Sequence, residues 1–152
     1  MPAKKRKPFN IVVVGHAGRQ QFEAILIAAS LRLNSPDFEA RLFVAEPEPG
    51  PLWKNDPSIR GDARAVLERL ESEIISFPSR HFGEKYPYGN KIEALFALPK
   101  GEPFLFLDTD TLVLDEITSV PFDFTKPTAS MRREGTWPEI QLYGPGYNAA
   151  WG

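Results

Sequence analysis

Of all the features of the sequence, a run of β-branched residues near its start places the strongest constraint on the fold. Residues 9–14, FNIVVV, are almost continuously apolar, which is typical of a strand buried on both faces of a sheet. The segment GHAG breaks the run, and residues 19–34 follow with apolar side chains at helical spacing. That spacing predicts one apolar stripe of Phe22, Ile25, Leu26, Ala29 and Leu33. A second apolar run at residues 41–45 completes a strand–helix–strand crossover, which predicts parallel strands.

The same alternation continues along the chain. A helix is predicted over residues 62–71, with Asp62 as its N-cap and with Val66, Leu67 and Leu70 facing inward. A short helix is predicted over residues 90–99, where Ile92, Leu95 and Phe96 share one face. Further extended segments are predicted at residues 73–77, 103–108, 111–117 and 128–131. Strands that alternate with helices indicate an α/β fold with a mainly parallel sheet.

Composition narrows the class of protein further. The 152 residues fit one domain, and the formal net charge of −2 with a pI near 5.7 gives no reason to expect a nucleic-acid partner. Cysteine is absent, which excludes disulfides and thiolate chemistry and fits a cytoplasmic protein. Residues 1–8 include four consecutive cations and are expected to form a flexible basic tail. No apolar segment of the sequence is long enough for a transmembrane helix.

Two aspartates interrupt the apolar run at residues 103–107. Asp108 and Asp110 stand one residue apart after a predicted strand, and alternate residues of an extended segment point the same way. Two carboxylates held close together repel each other unless a cation joins them, and hard oxygen ligands select Mg²⁺ or Mn²⁺. Because ligands of parallel sheets bind at the carboxyl ends of the strands, GHAG and this acid pair are expected at one edge. The alternative is that both acids merely end a strand and begin a turn.

The motif and its surroundings resemble those of a known family. The sequence FLFLDTDTLVLDEI resembles the Asp-x-Asp segment of nucleotide-sugar glycosyltransferases with the A-type fold, in particular the glycogenin-like and lipopolysaccharide-galactosyltransferase-like group. The segments AASLRLN, GNKIEAL and GYNAAWG are similar to further motifs of that group. The resemblance implies a three-layer α/β/α Rossmann-like nucleotide-diphospho-sugar transferase fold over residues 9–152.

The resemblance also implies a reaction and roles for particular residues. A sugar would pass from a nucleoside-diphosphate sugar, with a UDP-sugar expected, to a hydroxyl of a carbohydrate or other acceptor. Asp110 would bind Mn²⁺ or Mg²⁺, and Asp108 would share the metal or hold the ribose. Lys91 would approach the diphosphate or donor sugar, and Asn148 would lie near the donor or acceptor sugar. The remaining implied contacts, to the base and ribose, would come from Gly15, His16 and Gly18.

The sequence also departs from this pattern. Ala150 stands where the downstream segment usually has glycine, and a histidine ligand expected after the acid pair is missing, because His16 and His81 both precede it. The sequence ends 42 residues after Asp110, which leads us to expect a truncated chain or a small variant.

Three other functions remain open on the sequence alone. A haloacid-dehalogenase-like phosphatase would use Asp108 as its nucleophile, but Leu112 stands where its motif requires threonine. A nucleotidyltransferase would require a glycine-rich phosphate loop, which GHAGRQ matches poorly. A binding domain could keep nucleotide-sugar recognition without transferring the sugar.

Overall fold

The computed structural model describes residues 9–128, and within them the chain forms one four-stranded sheet in which every strand pairing is parallel. The strands are β1 (Asn10–Val14), β2 (Leu42–Pro47), β3 (Ser72–Phe77) and β4 (Phe104–Phe106). Their order across the sheet is β3-β2-β1-β4. The α-helices among these residues are α1 (Arg19–Asn34), α2 (Gly61–Arg69) and α3 (Asn90–Ala94). The predicted α/β class with a parallel sheet is therefore confirmed.

Strand β1 lies at the centre of the sheet because its continuous apolar run can be covered on both sides. All five of its residues are buried, and Val12 pairs with Phe43 of β2 on one side and Phe106 of β4 on the other. The chain passes from β1 outward to β2 and β3 and then returns to the opposite side of β1 as β4. This reversal places a topological switch point between β1 and β4.

Helices cover both faces of the sheet. On one face, Ala94 of α3 and the following Leu98 pack with Val12, Phe43 and Phe77. Successive strand residues point to opposite faces, so Val44 faces the other side, where Ala24 of α1 and Ile59 approach the end of β1. These contacts give the three-layer arrangement that the family resemblance implies.

The apolar stripe predicted for α1 is not the buried face of this helix. Its buried residues are Ala24, Ile27, Ala28 and Leu31. Of the predicted stripe, Phe22, Leu26 and Leu33 are exposed, and only Ile25 and Ala29 are half-buried. The helix is apolar on more than one side, and the buried side carries Ile27 and Leu31 together with two alanines.

Helices α2 and α3 correct two smaller predictions. The N-cap position of α2 is Arg60 and shows no side-chain hydrogen bond, so Asp62 lies in the first turn rather than capping it. Leu67 is buried there, whereas Val66 and Leu70 are half-buried. Helix α3 is only five residues long and continues as a 3₁₀ turn, Leu95–Ala97. The predicted apolar face of residues 92, 95 and 96 exists, but it is exposed.

The segment after β4 does not form the predicted fifth strand. Residues 111–116 pair with no strand of the described sheet and lead into a 3₁₀ turn, Ile117–Ser119. Side chains of α1 hold this segment instead: Ser30 Oγ accepts the Val113 N–H at 3.0 Å, and Asn34 Nδ2 donates to the Val113 carbonyl at 2.8 Å. The backbone is therefore satisfied by helix side chains rather than by a neighbouring strand.

Some predictions fall outside the described residues. The predictions in this group concern the basic tail 1–8, Asn148 and all but the first residue of the predicted strand 128–131.

A second unit of the chain begins at Asp123, where Asp123 Oδ1 accepts the Thr125 N–H at 2.9 Å. Between residues 9 and 128, no helix is both long enough and apolar enough to cross a membrane.

Candidate functional site

A cleft of about 380 Å³ opens at the carboxyl ends of β1 and β4. Its walls come from three parts of the fold: the end of β1 with the first turns of α1, the turn that leads into α3, and the end of β4 with the acid pair. This position is the switch point of the sheet, where ligands of open α/β sheets bind. The topology therefore brings the candidate residues together from distant parts of the sequence.

Asp108 and Asp110 both line the cleft, as the acid-pair pattern predicts. Leu107 N–H still donates to the Val12 carbonyl at 3.0 Å, and Asp108 is the first residue beyond this pairing. The local geometry differs from the prediction, because residues 108–111 form a β-turn in which Thr111 N–H donates to the Asp108 carbonyl at 3.1 Å. The two carboxylates thus reach one cleft from a turn rather than from an extended strand.

Lys91 enters the cleft from α3 and contacts the acid pair directly. Its ammonium group forms an ion pair with Asp108 Oδ1 and lies 5.6 Å from the centre of the Tyr88 ring. Two residues further along the helix Glu93 is buried, and its Oε1 accepts the N–H groups of Arg80 at 2.8 Å and His81 at 3.0 Å. Helix α3 is therefore fixed to the preceding loop, which holds Lys91 at the edge of the cleft.

The first turns of α1 contribute residues that the sequence patterns did not single out. Arg19, Gln20 and Glu23 line the cleft, and Arg19 Nε lies 3.3 Å from Glu23 Oε1. Glu23 also accepts a hydrogen bond from Thr109, the middle residue of the acid motif. Only their position in the sequence could have indicated these residues. They begin the helix that follows GHAG, and GHAG was expected at the same edge of the sheet as the acid pair.

One residue of the GHAG segment lines the cleft, and another is buried in the core. His16 lines the cleft, and its ring packs edge-on against Trp53 with centroids 5.1 Å apart. Gly15 is buried where β1 meets α1, and a Cβ atom there would lie 3.3 Å from Val44 Cγ1. Gly18 precedes α1 with a φ of 99°, a conformation that favours glycine. The predicted contacts of Gly15, His16 and Gly18 with base and ribose remain predictions.

The Ser-Leu-Arg segment of α1 has structural contacts. Ser30 holds Val113, as described above, and Arg32 donates to the backbone carbonyls of Leu70 and Glu71, both at 2.9 Å. Arg32 thereby hydrogen-bonds carbonyl groups just beyond the end of α2, where a helix leaves its last carbonyls without intrahelical partners. This part of the resemblance corresponds to contacts that support the fold around the cleft.

The donor atoms of the acid pair fit a hard divalent cation, since both residues offer carboxylate oxygens to an open cleft. Among residues 9–128, no group of three or more His, Cys, Asp or Glu side chains is arranged to hold a metal ion. Mg²⁺-type sites commonly combine one or two carboxylates with water and substrate phosphates. Asp108 and Asp110 are suited to that kind of site.

Comparison with known proteins gives one positive finding. Residues 11–152 match the model of a family described as the Rhodobacterales glycosyltransferase domain. No curated protein matches the sequence, and no solved structure does.

Proposed function

The chain belongs to the Rhodobacterales glycosyltransferase domain family and is a glycosyltransferase, and we propose that its donor is a nucleoside-diphosphate sugar bound through a divalent cation at Asp108 and Asp110. One observation carries the proposal. The cleft at the switch point contains both carboxylates and the ammonium group of Lys91. Anionic and cationic groups in one cleft suit a ligand made of a metal ion and a diphosphate.

Each group of the proposed ligand would have a partner in the cleft. Asp108 and Asp110 would hold Mn²⁺ or Mg²⁺, with diphosphate oxygens and water completing the coordination. When bound, the cation would offset the negative charge that develops on the departing diphosphate. Lys91 would donate to a diphosphate oxygen as a compact cation, and the exposed ring of Tyr88 offers a flat apolar face for the base or sugar.

The finer identity of the substrates follows the resemblance stated above. We propose a UDP-sugar as donor, a hydroxyl of a carbohydrate or other molecule as acceptor, and a cytoplasmic location. Within that scheme, His16 lies in the cleft wall, where it could contact the base or ribose. Asn148 is proposed to approach the donor or acceptor sugar. The A-type fold and the glycogenin-like subgroup belong to this proposal, as does a single domain over residues 9–152.

Substitution of Asp110 tests the metal site. Asp110→Ala should abolish Mn²⁺-dependent UDP binding in titration calorimetry, because it removes a carboxylate ligand of the cation. Asp37→Ala serves as the control, since Asp37 is an exposed acid beyond the end of α1. Unchanged UDP binding by a folded Asp110→Ala protein would reject the site. Hydrolysis of small phosphate esters that disappears in Asp108→Asn would support the phosphatase alternative instead.

A further inference from the structure

The middle residue of the acid motif points toward helix α1. Thr109 Oγ1 donates to Glu23 Oε2 at 3.3 Å, across 86 positions of sequence. The other carboxylate oxygen of Glu23 lies 3.3 Å from Arg19 Nε. The Glu23 side chain is only 18% exposed and Thr109 is half-buried, so their hydrogen bond is partly desolvated, whereas the Arg19 side chain is 84% exposed.

A second anchor lies two helical turns further along α1. Ser30 Oγ accepts the N–H of the buried Val113, and positions 23 and 30 lie on the same side of the helix. Between the two anchors, Thr111 donates to the Asp108 carbonyl through both its N–H, at 3.1 Å, and its hydroxyl, at 2.6 Å. The acid turn is therefore closed internally and is attached to α1 at Thr109, within the turn, and at Val113, just after it.

We propose that Glu23 is a positioning residue for the acid pair and acts through Thr109. The inference rests on the proposed metal site. Asp108 and Asp110 flank Thr109, so fixing Thr109 against α1 keeps the turn from swinging both carboxylates out of the cleft. Such a support opposes the repulsion between two neighbouring carboxylates, in addition to the ion pair of Asp108 with Lys91. If the turn is already ordered before the cation binds, less conformational entropy is lost on binding.

The contacts of Glu23 distinguish this role from that of a third metal ligand. One oxygen is engaged by Thr109 and the other by the Arg19 guanidinium. A positioning role requires only a hydrogen-bond acceptor at this place, and the amide oxygen of glutamine can supply one. A metal ligand would require the negative charge. Glu23→Gln therefore separates the two roles.

The experiment compares paired variants in the full chain. Thr109→Val removes the hydroxyl and keeps the branched shape, whereas Thr109→Ser keeps the hydroxyl. We expect amide hydrogen exchange at residues 108–113, measured without metal, to be about two- to tenfold faster in Thr109→Val, the range expected for one hydrogen bond. Mn²⁺ affinity in the presence of UDP should fall by a similar factor. Thr109→Ser and Glu23→Gln should stay close to the parent protein in both measurements.

Two results would overturn the inference. One is equal exchange at residues 108–113 in Thr109→Val, Thr109→Ser and the parent protein. The other is a loss of Mn²⁺ binding in Glu23→Gln as large as in Asp110→Ala, which would make Glu23 a ligand. Faster exchange in Thr109→Val, together with a parent protein that takes up no Mn²⁺, would support the positioning role while rejecting the proposed metal site. Exchange outside residues 108–113 reports whether each variant is folded.

Discussion

At the scale of single residues, the ion pair between Lys91 and Asp108 affects how easily a cation could bind to the acid pair. The two side chains are 37% and 51% exposed, so their ion pair is screened by water. A pair of this kind contributes at most about 1 kcal/mol. In the proposed site, a divalent cation that binds the same carboxylate would therefore displace the ammonium group, which would leave Lys91 beside the cleft and available to a diphosphate.

We expect Lys91→Met to change two affinities in opposite directions. Mn²⁺ alone should bind about two- to fivefold more tightly, because the competing ammonium group is removed. UDP in the presence of saturating Mn²⁺ should bind about tenfold more weakly, because a charge-assisted hydrogen bond to phosphate is lost. Titration calorimetry measures both, with the exposed Lys100→Met as the matched control. Weaker binding of Mn²⁺ as well as UDP would contradict the competition between lysine and cation.

The sequence pattern indicated the two acids of the candidate site, but it did not indicate the hydrogen bond that holds their turn against α1. Asp108 and Asp110 stand out because they interrupt an apolar run, and they lie together in the cleft as predicted. The expected extended geometry is replaced by a β-turn, since the local backbone closes through Thr111. The contact of Thr109 with Glu23 depends on how α1 packs against the chain after β4, and no local pattern contains that information.

At the scale of secondary-structure elements, α1 shows where periodicity reaches its limit. The helix is correctly predicted, yet its inward face carries Ala24 and Ala28, whereas Phe22 and Leu26 face outward. Apolar spacing favours the larger side chains as the buried set. The buried face combines the large Ile27 and Leu31 with the small Ala24 and Ala28, so it is the way the helix packs against its neighbours, rather than side-chain size, that selects this face. The choice between two apolar faces depends on that tertiary packing.

The carboxylate of Glu102 connects the amino ends of β1, β2 and β4. Its contacts predict that the stability of the fold depends on pH. Glu102, just before β4, accepts a hydrogen bond from Asn10 of β1 at 2.6 Å and pairs with Arg41, just before β2. The hydrogen bond from Asn10, followed by that from Arg41, lowers the pKa of Glu102 below its ordinary value. A lowered folded-state pKa stabilises the fold above the ordinary pKa of glutamate, and this contribution is lost as pH falls through the folded-state pKa.

Glu102→Gln should therefore be less stable than the parent protein near neutral pH, and the difference should shrink as the pH falls below the ordinary glutamate pKa. Urea unfolding across a pH series measures this difference directly. The control is Glu39→Gln, which removes one exposed carboxylate near the same end of the sheet. A difference that stays constant with pH would show that the contribution of Glu102 does not depend on its charge.

At the scale of the whole molecule, the order of helices and strands predicted where the candidate site lies better than any single motif did. Parallel strands place their carboxyl ends at one edge, so the end of β1 and the acid pair were expected to meet, and the cleft lies there. The position of Lys91 depends on α3, which is fixed by the buried Glu93 and the loop before it. That loop has no regular periodicity, so the resemblance to a family, rather than the pattern of the chain, pointed to Lys91.

Because the cleft joins the ends of the central strands, ligand binding should stabilise the fold as a whole. Mn²⁺ and UDP together, at about one hundred times the dissociation constant, should add about 2.7 kcal/mol and raise the unfolding temperature by about 5–10 °C. Differential scanning calorimetry measures the shift. UMP should produce a much smaller one, because it lacks the second phosphate that would bridge the cation and Lys91. An equally large shift with UDP in the presence of a chelator, or in Asp110→Ala, would show that the nucleotide binds without the cation and would leave the acid pair without its proposed role.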